Sequence, residues 1–302
     1  MIVRPKQSWF RLLFIWKGSV LQSIMPQLAF MTVVSCVAVA THGRVFGEKI
    51  PLSATLLTLF GLTLAIFLGF RNTASYQRFD EARHLWGQLL IASRALVSQA
   101  LCHLPRDEAN AVADEIIALV YALKHELRLT QPQVDLVRLL GRERARELMA
   151  CNERAPVLLH QLRLRLAGHR DSGRLSDTLF WTMDTQLTEL GRAVGGCERI
   201  ASTPIPFAYG VLLHRTVYTY CVLLPFGLVD SAEVFTPLLC VFLSYTLIAL
   251  EAIANEVSEP FGLTPHALAL DAMSRNIERS VFELCGRELP PALEPSASYQ
   301  LT

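Results

Sequence analysis

The stretch AIFLGFRNTASYQRF, residues 65–79, begins as apolar helix and turns charged within one turn of Phe70. Ile66, Phe67 and Phe70 give way to Arg71, Asn72 and Arg78, yet no proline falls between 52 and 104. One helix over those residues, at most mildly kinked at Gly69, is about 80 Å long, whereas the hydrocarbon core of a bilayer is about 30 Å thick. The pattern predicts a helix that starts in lipid and continues into water without a stop. More than half of it must then project beyond the membrane, packed against other helices.

The rest of the chain supplies those helices. Its 302 residues are 52% hydrophobic and 18% charged, with a mean hydropathy of +0.34. That is too apolar for an ordinary water-soluble domain and too charged for a protein lying wholly in lipid. A net charge of +1 gives no field for nucleic acid or an acidic substrate. The seven cysteines form no CxxC pair and have no histidine at zinc spacing, so neither a disulfide framework nor a metal cluster is expected.

Four stretches approach the ~20 apolar residues that a membrane helix needs: 22–41, 53–70, 205–228 and 235–254. Ala38-Val39-Ala40 resembles a signal-peptidase site, but 21 residues, with two tryptophans and a proline, precede the apolar run. A cleaved signal peptide has no such preface. Lys and Arg set the orientation. The first 21 residues hold Arg4, Lys6, Arg11 and Lys17, segment 71–202 holds 18 such residues, and loop 229–234 holds none. Loop 42–52 has only Arg44 and Lys49. Both short loops are therefore expected outside and both termini in the cytoplasm. The expected organisation is a cytosolic amphipathic helix (1–21), spans 1 and 2 (22–70, the second continuing to about 104) and a cytosolic helical domain (71–202). Spans 3 and 4 (203–256) and a cytosolic C-terminal segment (257–302) follow.

Within 71–202, apolar residues recur every third or fourth position, with breaks at Pro105, Pro132 and Gly173. No strand is needed there. The charge runs RDEANAVADE and GRERARE read as solvated helix faces. The last 14 residues, LPPALEPSASYQLT, read as a loose tail.

On the long helix, Leu62, Ile66 and Phe70 recur every fourth residue, a stripe drifting about 40° per step. Ala74 and Arg78 continue it, from bulky apolar through small to cationic. Such a stripe faces either lipid or other helices, or else lines a pore with a tight apolar neck. Periodicity alone does not choose between them, because a dewetted pore and lipid select similar side chains.

Four motifs give the chain a resemblance to the bestrophin family of ion channels, its bacterial branch above all. SWFRLLFIWKGSVLQSI (8–24) resembles the family's entry helix, and FLGFRNTASYQRFDEARHLWG (67–87) the end of its pore helix. CERIASTPIPFAYGVLLHRTVY (197–218) is similar to the entry of the third span, and EVSEPFG (256–262) to the turn after the last. The order and spacing of the four carry the resemblance, which covers about 5–275. It implies an all-α membrane protein: four transmembrane helices and a helical cytosolic domain per subunit, a homopentamer around a central pore. By position, Leu62, Ile66 and Phe70 match the rings of the family's neck. Counting back without gaps, Thr178 matches the cytosolic aperture.

Two departures follow from the same comparison. Where animal members continue P-F-G with acids that clasp calcium, this chain reads PFGLTPHALALD, and Leu263, Thr264, Pro265 and Ala267 cannot supply six to eight oxygens. Calcium gating is rejected. Ile66 stands where animal members carry an aromatic ring, whose positive edge can face an anion, so strong anion selectivity does not carry over.

His214-Arg215 lies within the third span, where ionisable residues are functional by default. Haem is unsupported, since no second histidine lies in a span. An interface role with Glu251 or Glu256 fits better. Among nucleotide-binding, metalloprotease and hydrolase motifs none is present, which argues against an enzyme. The reading is a passive channel of the bacterial inner membrane. Its partners are its own copies, membrane lipids and small inorganic ions, with no cofactor, metal or nucleic acid. A secondary transporter or a membrane scaffold are the alternatives.

Overall fold

The computed structural model describes all residues except 6, 13, 17, 46–47 and 50–51. Lys6 and Lys17, two of the four N-terminal cations used for orientation, lie outside the described residues. The chain is mostly helical. In order it forms α1 (Trp9–Leu12), α2 (Leu21–Ala40), β1 (Arg44–Val45), β2 (Glu48–Lys49), α3 (Ala54–His103) and α4 (Arg106–Leu127). Then come α5 (Gln133–Leu140), α6 (Arg142–Met149), α7 (Arg154–Asp171), α8 (Asp177–Ser202), α9 (Phe207–Ala232), α10 (Thr236–Val257) and α11 (Leu270–Leu284). Two compact units result. One is built from Arg4–Phe79 and Pro204–Glu259, the other from Met1–Val3, Asp80–Thr203 and Pro260–Thr302.

The first unit is the apolar one. Three described stretches are long and apolar enough to cross a membrane: Leu21–Ala40, Thr55–His103 and Phe207–Val257. The sequence suggested four. The last stretch is α9 and α10 joined at Glu233–Phe235, where Glu233 takes φ 42° and breaks the helix. Contacts across it are antiparallel, since His214 of α9 meets Glu251 of α10. Lys49 donates to Asp230 at 2.8 Å, and Gly43 sits against Val229, so the ends of α2 and α9 share one side with the β1–β2 hairpin. A cluster of Ile24, Leu28, Met31, Leu64, Val217 and Ile248 forms the core. Hydroxyls within these helices donate to carbonyls four residues back: Thr32 to Leu28, Ser35 to Met31, Thr63 to Leu59, Thr216 to Leu212 and Thr246 to Phe242. This satisfies polar atoms where no water competes.

Of the amphipathic helix expected over 1–21, the described residues contain the single turn α1. Trp9, Phe10, Leu12, Phe14 and Trp16 all stand exposed around it. Gly18, at φ 78°, separates this aromatic segment from α2.

The second unit is organised around α4, in which every residue from 115 to 124 is buried. Such a helix needs neighbours on all sides; α5, α7 and α11 supply them. α4 and α5 begin directly after Pro105 and Pro132, and Gly173 (φ 74°) follows α7, where the sequence placed its breaks. Several of its polar groups are tied to neighbouring helices. Tyr121 donates to Glu278 at 2.7 Å, and Lys124 to Asp271 at 3.0 Å. Glu126 accepts from the backbone nitrogens of Arg154 and Ala155 at 2.5 and 3.3 Å, capping α7 from another helix.

The charge runs are solvated in part: Arg106, Asp107, Arg142, Glu143, Arg146 and Glu147 are exposed, but the end of the first run turns inward. Glu115 is buried, and Arg144 from GRERARE reaches it at 2.6 Å while Arg165 reaches it at 2.7 Å. Helical spacing identified the charged stripe, but not that two stripes face each other. Replacing Glu115 with alanine removes the shared carboxylate, leaving Arg144 with Gln161 and Arg165 with Glu108. A loss of about 2 kcal/mol is expected, since both arginines can partly turn to water. A lowered melting temperature checks it, and an unchanged one would show the network to be idle.

The tail also departs from expectation. Arg279 bonds the Pro290 carbonyl, and the last residues pair with the first: Val3 N donates to Tyr299 O at 2.9 Å and Leu301 N to Met1 O at 2.8 Å. Ala272 N donates to Thr302 O at 2.8 Å. Low hydrophobicity marked this segment as loose because backbone pairing leaves no compositional trace.

Candidate functional site: the bare face of the long helix

The helix α3 runs 50 residues without interruption. Its packed side is a stripe of buried residues, Leu57, Leu64, Leu68, Arg71 and Ser75, continued by Ala82, Trp86 and Leu89. At about 100° per residue, Leu62 and Ile66 project on the opposite side, with Phe70 at its edge. They are 60, 50 and 64% exposed. The three sequence-selected residues thus share a face left exposed by the described residues of the chain. Beyond them the face continues through Gly69, Thr73 and Ala74, small or polar and exposed.

Arg78 does not continue this face as a free cation. Its Nε donates to the Ser258 carbonyl at 2.7 Å, at the C-terminal cap of α10. A cation there satisfies an orphan carbonyl and the negative end of the helix dipole.

Thr178 is exposed in the first turn of α8, where Ser176 accepts from Leu179 N at 3.3 Å as the N-cap. Thr182 and Thr185 follow on the same side, their hydroxyls donating to the carbonyls of Thr178 and Trp181 at 2.9 and 3.0 Å. The oxygen lone pairs remain available, so this is a polar surface.

Of the ionisable pair in the third span, His214 bonds the buried Glu251 through Nδ1 at 2.7 Å, as anticipated from the sequence. Arg215 is exposed beside it. Sequence reasoning missed Arg71, which is only 6% exposed and bonds Asn255. Its place among charged residues suggested water, and nothing in the local pattern reveals that it turns inward.

The match to known proteins is extensive. The family model for bacterial and fungal bestrophin proteins covers residues 1–283. A protein of Ralstonia nicotianae named as voltage-dependent anion channel-forming is 45% identical over 292 residues, 95% of each chain. One of the same name from Escherichia coli K12 is 41% identical over 309 residues, all of both chains. The crystal structure of a bacterial bestrophin homolog from Klebsiella pneumoniae superposes with a TM-score of 0.85 at 41% identity, covering 88% of this chain and 99% of that one. With these relatives and helices long and apolar enough to cross a bilayer, the protein is a transmembrane ion channel and not an enzyme. The chain belongs to the bacterial bestrophin family.

Proposed function

We propose that the chain is one subunit of a homopentameric, passive channel for small monovalent ions in the bacterial inner membrane. α2, the first part of α3, α9 and α10 make four crossings in this reading, with both termini cytoplasmic. Segment 71–202 and the C-terminal segment form the cytosolic body. Leu62, Ile66 and Phe70 from five copies ring the axis as a neck, and Thr178 lines the aperture at the cytosolic exit. The observation that carries it is the bare face of α3. It is apolar where a neck must exclude water and small or polar directly beyond, a sequence that a uniformly lipid-facing stripe does not need.

The relatives' names specify anions. In this chain Phe70 is the one aromatic among the three rings, so only a weak preference is expected. Purified protein should have a mass in detergent of about five times 33.7 kDa. Its reversal potential across a planar bilayer under a salt gradient gives the polarity. A monomer that still conducts ends the ring reading.

Calcium independence has a structural argument. After Gly262 the nearest acid, Asp271, is held by Lys124 at 3.0 Å and Arg128 at 2.6 Å. Burial raises its pKa, but these two cations outweigh it and keep the carboxyl below its ordinary range. Its oxygens are already committed. Currents in chelator and in micromolar calcium are expected to coincide; a sharp calcium activation refutes the argument.

A further inference from the structure

Two cavities in the apolar unit meet at Arg215. The first, about 280 Å³, is walled by Leu52, Leu56, Leu57, Phe60 and Leu223, with Arg215 also in its lining. The second, about 380 Å³, is the more polar of the two and is lined by Arg71, Pro206, His214, Arg215 and Asn255. Arg71 is more than nine-tenths buried, and its Nε and Nη1 have no hydrogen-bond partner among the described residues. Nη1 lies so close to α9 that a Cβ on Gly210 would stand 3.3 Å away. The start of α9 faces the same space without a side-chain cap.

We infer that these cavities together form a phospholipid site, with the phosphate held by Arg71, Arg215 and the α9 N-terminus and an acyl chain in the apolar cavity. The inference rests on the membrane reading above. Unfilled guanidinium donors and an uncapped helix start both call for an anion. Glu251 also lines the polar cavity but is taken by His214, and Glu259 is the remaining carboxylate. An arginine eight residues into an apolar helix stands about 12 Å from its start, within reach of a headgroup by snorkelling. From Arg71 back to Phe60 is about 17 Å along α3, close to the ~15 Å hydrocarbon depth of one leaflet. Inorganic phosphate satisfies the polar cavity alone; a lipid satisfies both.

The test is native mass spectrometry of the oligomer purified from bacterial membranes, comparing wild type, Arg71→Gln with Arg215→Gln, and Phe60→Trp. Retained phospholipid is expected to fall about tenfold or more in the double variant, which loses two charge-assisted contacts. It should fall also in Phe60→Trp, which fills the apolar cavity and keeps both arginines. Equal lipid in all three overturns the site. So does a phosphate-mass adduct that survives in Phe60→Trp, which identifies free phosphate as the occupant. Loss of lipid only together with subunit dissociation in both variants overturns it too, because the arginines then bind a neighbouring copy. Carbonate washing of the same membranes separates the two readings. Wild type released by the wash defeats the membrane assignment, whereas retained protein lacking lipid defeats the site alone.

Discussion

With Leu62, Ile66 and Phe70 all replaced by alanine, conductance or open fraction is expected to rise about tenfold or more, with the oligomer intact. A ring of apolar side chains stops an ion by drying: stripping its water costs several kcal/mol that nothing in the ring returns. Removing even 1.4 kcal/mol of that barrier, roughly, is a factor of ten. Alanine widens all three rings, so water enters and the barrier falls. The control is Leu64→Ala. Leu64 is 2% exposed and belongs to the core cluster, so its loss should cost about 2–5 kcal/mol of stability without raising current. If the triple variant conducts like the parent, the bare face of α3 lies against lipid.

Replacing Ile66 with glutamate is expected to make the channel strongly cation-selective. Five carboxylates around one ring attract cations and repel anions. A difference of about 1.4 kcal/mol between the two signs moves the permeability ratio tenfold. Neighbouring carboxylates resist ionising together, so selectivity should sharpen as pH rises and more of the ring is charged. The opposite geometry has a different signature. On a lipid-facing helix the same change costs roughly 2.5–3.5 kcal/mol per subunit for a charge near mid-membrane. Less protein would reach the membrane, and its reversal potential would stay where it was. Selectivity and yield thus move in one case each, and the two cannot be confused.

How much was legible depended on whether the information is local. The continuity of α3 was readable because a missing proline and a helical period are properties of neighbouring residues. Leu62, Ile66 and Phe70 could be chosen, and their shared exposed face found, for the same reason. Glu251 as the partner of His214 was guessable because few acids lie in the apolar stretches. Arg71 was not, because its partner Asn255 is 184 residues away and its burial depends on the close approach of Gly210. The Glu115 network was hidden likewise: charges at helical spacing look the same whether they meet water or another helix. Arg78 continued the stripe on paper, but an open carbonyl at the end of α10 claimed it.

The closing of α11 over α4 sets a timetable for synthesis. Glu278 lies 157 residues after Tyr121, which it accepts from. At about 5–20 residues per second, on the order of ten to thirty seconds of translation separate the two. Throughout that interval α4 has left the ribosome with one flank of its wall unbuilt, while the α9–α10 hairpin is still being made and delivered to the bilayer. The nascent chain is most vulnerable then, to proteases and to its own neighbours on the polysome. A holding chaperone would serve it best between the emergence of residue 127 and that of residue 284.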